Sequence, residues 1–280
     1  MIRIFSLSCG SKEKGMAQLA GLPAFTGSMA GLSAYKMRGV EGIVLRAKGG
    51  PGKQQIKNSP AYEIIRRRNA EWAGCMQLVK QVNRAIHPVR HLYGSNYTGR
   101  LAAVCKSILE EDTTGVLGKR SVQVSKAGYK LEGFTLNQYH PFDTVLRHPL
   151  AFSVNRQNGT AIVNLPELVP GLNLTNPLQQ PLYRLVFVLG LVADMVFDEA
   201  RKEYMPQGDD WGRHITGNTP WYTAGESSAA QTIDLSLPNY NEGETLSLIL
   251  AAGVEYGRPV AGGHIKYTKY AGSAKLLKVG

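Results

Sequence analysis

The apolar residues of this 280-residue chain change period near Lys119. Before that point Ala61, Ile65, Trp72, Cys75, Met76, Val79, Val82 and Ile86 recur at helical spacing, with Arg68 interrupting the stripe. Beyond it, apolar and polar side chains alternate in short runs. A period near 3.6 hides one stripe of a helix, and a period of two hides one face of a strand. Neither pattern serves the other state, so the chain must combine both. An α+β fold follows, with helices early and a mainly antiparallel β region late.

The first helix is expected over residues 59–86. Ser59 caps it, Pro60 suits its first position, and His87-Pro88 ends it, because the residue before proline is pushed out of the helical region. A second helix fits residues 97–111, with Tyr97, Leu101, Val104, Cys105 and Ile108 on one face. Ahead of both lies a hairpin, with strands 32–37 and 43–46 joined by a turn bounded by Gly39 and Gly42. In the later region strands are expected at 121–125, 129–134, 151–157, 160–165, 183–197, 232–237, 246–256 and 274–279. Asn158-Gly159 is the strongest hairpin signal. Many short strands with turn residues between them point to a β-sandwich. The division expected is a possible start-site extension at 1–15, a hairpin-plus-helices module at 16–116 and a sandwich-like domain at 117–280.

An apolar content of 43% with 19% charged residues is globular composition. The run 182–197 (LYRLVFVLGLVADMVF) contains Arg184 and Asp194 and is shorter than the ~20 residues that span a bilayer, so it reads as core. Cys9, Cys75 and Cys105 form no disulfide framework and no metal pair. Reduced thiols and a cytoplasmic location are the simplest account. The stretch before Cys9 is too short for a secretory signal, which argues against lipoprotein anchoring there. Without such a signal the Asn-x-Thr triplets at Asn96, Asn158 and Asn173 carry no weight.

Charge is localised. Residues 36–130 hold 18 of the 32 Lys and Arg but 6 of the 21 Asp and Glu, whereas residues 131–280 carry −3. The candidate polyanion or partner-binding residues are Lys36, Arg38, Arg46, Lys48, Lys53, Lys57, Arg66 and Arg67, with Tyr35 as a stacking surface. Gly49-Gly50-Pro51-Gly52-Lys53 resembles a phosphate loop at a glance. Ala47 stands at its first glycine position and Gln54 at its hydroxyl position, so a basic loop exit fits better.

Other clusters carry less. His140, Asp143 and His148 bring two imidazoles and a carboxylate close in sequence, but at no recognised metal spacing. His87 and His91 lie four apart, yet Pro88 breaks the helix between them. Asp209, Asp210, Trp211 and His214 form a possible contact loop, and a hydrolase reading would need its acids and histidine to converge. No nucleophile–base signature or GxSxG turn is present. No catalytic residue, metal site or cofactor is expected.

Several segments are familiar as a set: residues 25–39 (FTGSMAGLSAYKMRG), 45–50 (LRAKGG), 56–60 (IKNSP), 118–122 (GKRSV) and 131–137 (LEGFTLN). Together they resemble a family of uncharacterised proteins from Bacteroidetes, over most of the chain from Met16 onward. Members tend to begin near the equivalent of Met16, and residues 1–15 depart from the pattern. The resemblance implies a bacterial source and brings no activity.

Two functional readings remain open. The first is a non-enzymatic interaction protein that self-assembles, or binds an acidic protein partner through the basic module. The second is a nucleic-acid-associated protein using the same residues.

Overall fold

The computed structural model describes residues 3–4, 16–19, 26–29, 31–37 and 40–280. Arg38, Phe25 and residues 5–15, Cys9 included, lie outside the described residues. The chain divides into two compact units, Met1–Glu63 and Ile64–Gly280.

The first unit is an antiparallel sheet of β1 (Arg3–Ile4), β2 (Met16–Leu19), β3 (Gly27–Met29), β4 (Leu32–Tyr35) and β5 (Ile43–Ala47), in the order β1-β2-β5-β4-β3. The expected hairpin is β4–β5, registered Leu32↔Ala47 to Tyr35↔Val44. Part of the expected extension is a strand, since Arg3 pairs with Gln18 and Ile4 with Ala17. Helix α1 (Lys53–Asn58) follows the glycine-rich exit and buries no residue. Among the described side chains of this unit, Ala34, Ile43 and Val44 are buried.

The second unit holds all but the first residue of α2 (Glu63–Ala85), then α3 (Thr98–Leu109), and continues through short α4 (Val124–Ala127) and α5 (Phe142–Val145). The strands follow as β6 (Ala151–Asn155), β7 (Thr160–Leu165), β8 (Leu182–Ala193), β9 (Met195–Asp198), β10 (Glu203–Pro206) and β11 (His214–Asn218). They end with β12 (Tyr222–Thr223), β13 (Gln231–Ser236), β14 (Leu246–Pro259), β15 (Ile265–Tyr267) and β16 (Ser273–Val279). β8 and β14 pair antiparallel from Leu246↔Ala193 to Gly257↔Leu182 and form the centre of a six-stranded sheet with β11, β12, β15 and β16. A three-stranded sheet, β13-β7-β6, makes a second layer, and β6–β7 is the hairpin around Asn158-Gly159.

The run 182–197 is apolar at nearly every position because both faces of its strand are covered. Val186, Val188 and Val192 point into a core shared with α2 and α3. Leu185, Phe187, Leu189 and Leu191 point into a second core shared with β7 and β13. Helices, central sheet and outer sheet thus form a sandwich-like α+β arrangement. Continuous apolar runs are more familiar in parallel sheets, but double coverage is the cause in either case. The helix layer sits close. A Cβ at Gly190 would lie 2.5 Å from the Ala85 carbonyl oxygen, so glycine is required where the end of α2 meets β8.

One expectation is corrected. The expected strands 121–125 and 129–134 do not form: Val122 makes a single antiparallel bridge to Met195, and the chain then folds as α4 and a 3₁₀ turn, Gly128–Leu131. Val124, Ala127 and Leu131 are buried at helical intervals, a pattern masked by the local alternation of Val122 and Val124. The Asp194 carboxylate also accepts the Ser125 N–H at 2.9 Å, which anchors the start of α4. The compact units meet near residue 63, whereas the sequence pattern places its boundary at 116. The apolar stripes of α2 and α3 have their partner in the β8–β14 sheet, so the helices belong to the β region.

Candidate functional site

The expected basic residues occupy three places. Arg46 lies in β5, with Lys36 and Lys48 just beyond the ends of β4 and β5. The Arg46 guanidinium sits 5.9 Å from the Tyr35 ring on the face that these residues share. Lys53 and Lys57 stand one turn apart on α1. Arg66 and Arg67 belong to α2 and thus to the second unit. Lys36, Arg46, Lys48, Lys53 and Lys57 are all exposed, and none has a carboxylate partner among the described residues. Met29, Leu32, Met37 and Val40 stand exposed in the same unit, Met29 at 59%.

The other clusters do not converge. Asp210 pairs with Arg213 at 2.8 Å, Asp209 is exposed, and the His214 ring stacks 6.3 Å from His87. Trp211 lies 5.2 Å from the Arg84 guanidinium, which fastens this loop to α2. The two acids and the histidine therefore have separate surroundings, and the hydrolase reading has no site. Asp143 accepts both its contacts from Lys275, at 2.8 Å, and His148 Nδ1 bonds the Pro149 carbonyl at 2.8 Å. His87 and His91 are parted by the 3₁₀ turn His87–Val89 and face different neighbours. Among the described residues, no group of three or more His, Cys, Asp or Glu is placed to hold a metal ion. No described helix is long and apolar enough to cross a membrane.

Two buried carboxylates stand apart from the residues expected from sequence. Glu255, on β14, receives Arg184 Nε at 2.6 Å from the position opposite on β8, and His91 Nε2 at 3.0 Å. Trp221 stacks on Arg184 at 4.7 Å. Burial pushes the Glu255 carboxyl up, but the His91 and Arg184 hydrogen bonds outweigh it and hold the group below the usual range. Glu71, on α2, is gripped by Arg120 through two bonds of 2.8 Å and by the Gly118 N–H at 2.8 Å. Its carboxyl is likewise raised by burial and lowered further by Arg120 and Gly118. The available signal was a glutamate on an apolar stripe: Glu71 precedes Cys75 by four, and Glu255 interrupts the run 246–256. Both carboxylates have two donors, so neither is poised to take a proton.

Beside the Glu71–Arg120 pair, α2, α3 and the segment leading to Arg120 enclose a cavity of about 520 Å³. Arg68, Asn69, Trp72 and Cys75 line it from α2, Lys106, Leu109 and Glu110 from α3 and its end, with Leu117 closing it. The thiol of Cys75 is pushed up to about 11 by burial and the nearby Glu71 charge, so it is no nucleophile at neutral pH. Cys105 is buried deeper and is raised for the same first reason.

No family model, curated protein or solved structure matches this chain.

Proposed function

We propose that this is a non-enzymatic interaction protein. The unit 64–280 serves as a rigid body, and the N-terminal unit docks on an acidic protein surface. One observation carries the reading: in the N-terminal unit, cations without carboxylate partners among the described residues stand among exposed Met29, Leu32, Met37 and Val40. Cations speed and orient docking, and apolar side chains supply the buried contact that a stable complex needs. A cytoplasmic location belongs to this reading, as it suits the free thiols of Cys75 and Cys105.

Nucleic acid is the competing occupant of the same residues. Phosphates reward the lysines but leave the four apolar side chains without a role. Fluorescence anisotropy of two labelled probes of equal charge separates them: an acidic peptide alternating Glu and Leu, and a single-stranded oligonucleotide. The peptide is expected to bind more tightly and to keep measurable binding in 0.5 M salt, a condition chosen at roughly a 5 Å Debye length. Tighter oligonucleotide binding with a steep salt slope would transfer the function to nucleic acid. If neither probe binds and light scattering finds a monomer at low and high salt, the interaction reading fails.

A further inference from the structure

The α2 stripe ends in an unexpected way. Arg68, Trp72 and Cys75 follow one another at helical spacing, yet only Cys75 is covered, and Trp72 remains 46% exposed. The first two side chains form the wall of the 520 Å³ cavity, a volume within the usual span of small-molecule sites. Its base is apolar, from Cys75, Leu109 and Leu117, and Asn69 adds one polar group.

The charges in this cavity do not cancel. Arg120 is consumed by Glu71, whose two oxygens are both engaged. Lys106 leans toward Glu110 at 3.6 Å across a solvent-exposed gap, a pair of little strength. Arg68 has no carboxylate partner among the described residues. One planar cation is left one helical turn from an exposed indole, a spacing that places both side chains against one guest. A single free guanidinium suits one negative charge. A polyphosphate would bring several negative charges against the Glu71 and Glu110 carboxylates that share the lining with Arg68 and Lys106, and no cluster of backbone N–H donors offsets them.

We propose that this cavity binds a small organic monoanion with a flat apolar body, of the aromatic carboxylate class. Arg68 takes the carboxylate, Trp72 stacks on the ring, and Leu109 and Leu117 receive its far edge. Binding involves no covalent step. The site lies wholly within the second unit and is independent of the docking function proposed for the first.

Isothermal titration with 2-naphthoate, its uncharged amide and acetate tests the assignment. Naphthoate is expected to bind saturably and about tenfold more tightly than the amide, with acetate giving no heat. Arg68→Gln is expected to erase that tenfold preference while leaving amide binding in place, and Trp72→Ala to weaken both. Both side chains are exposed, so the variants should melt with the wild type, which a parallel thermal scan checks. The proposal is overturned if naphthoate shows no saturable binding. It is equally overturned if acid and amide bind alike, or if Arg68→Gln leaves their ratio unchanged.

Discussion

The two units differ in how far positive charge is paired. In the second, about half of the cations are paired with carboxylates, among them Arg120 on Glu71, Arg184 on Glu255, Lys119 on Glu199, Lys130 on Glu111 and Lys275 on Asp143. In the first, Lys36, Lys48, Lys53 and Lys57 have no such partner among the described residues. Nine Lys and Arg stand against three acids in residues 1–63, and 23 against 18 in residues 64–280. The lesson is that a formal charge of +11 says little until the paired cations are set aside. Net charge is +6 in residues 1–63 and +5 in residues 64–280, so its density is highest in less than a quarter of the chain.

The sharpest break of this comparison comes from the core. Phe187→Ala removes a fully buried ring between the two sheets and is expected to cost about 3–5 kcal/mol. Met29→Ala, at an exposed position, should stay within about 0.5 kcal/mol. Urea titrations of both variants check the contrast, and a comparable loss for Met29 would mean that its side chain is packed rather than exposed.

Next in size is the buried pair. Glu71→Gln strands Arg120 and is expected to cost about 2–4 kcal/mol, whereas Lys119→Ala, at the exposed Glu199 pair, should cost under about 1 kcal/mol. The same carboxylates set an acid limit. Glu71 and Glu255 are held below their ordinary values in the fold, so their contribution is complete above the unfolded glutamate range near 4.3 and is lost as pH falls through the folded values. Asp194 works the other way. Burial raises it against the Ser125 hydrogen bonds, so stability falls as pH rises from the unfolded aspartate range through its folded value. Denaturation curves between about pH 5 and about pH 2 should show the wild type losing stability, and Glu71→Gln losing less over the same window.

The smallest expected change in stability is the largest in binding. Reversing Lys36, Lys48, Lys53 and Lys57 to Glu touches exposed sites and should leave the melting temperature within a few degrees. Acidic-peptide affinity should drop at least about tenfold, as attraction turns to repulsion. An unchanged affinity would place the docking surface elsewhere.

Much of the architecture was legible because its elements obey a single period. The hairpins at β4–β5 and β6–β7, both long helices, and strands β8, β13, β14 and β16 lie close to where the apolar pattern sets them. What escaped was ruled by contacts distant in sequence. Val124, Ala127 and Leu131 form a helical stripe only once Asp194, some 70 residues later, anchors Ser125. The place where the chain divides depends on which surface covers the α2 stripe, and the chain order of helices before strands conceals that. For the site, Arg68 stood out as a charge on an apolar face, but the cavity beside it is made by Leu109, Leu117 and the Glu71–Arg120 clamp. No local spacing announces that enclosure.

The double coverage of β8 and β14 also sets a clock. Their shared ladder of main-chain hydrogen bonds lies between two cores, so water reaches those amides only when both layers part together. In deuterated solvent the amides of Leu185 to Val192 and Leu248 to Val254 should therefore be the last in the protein to exchange. Their common rate would report the global opening of the second unit.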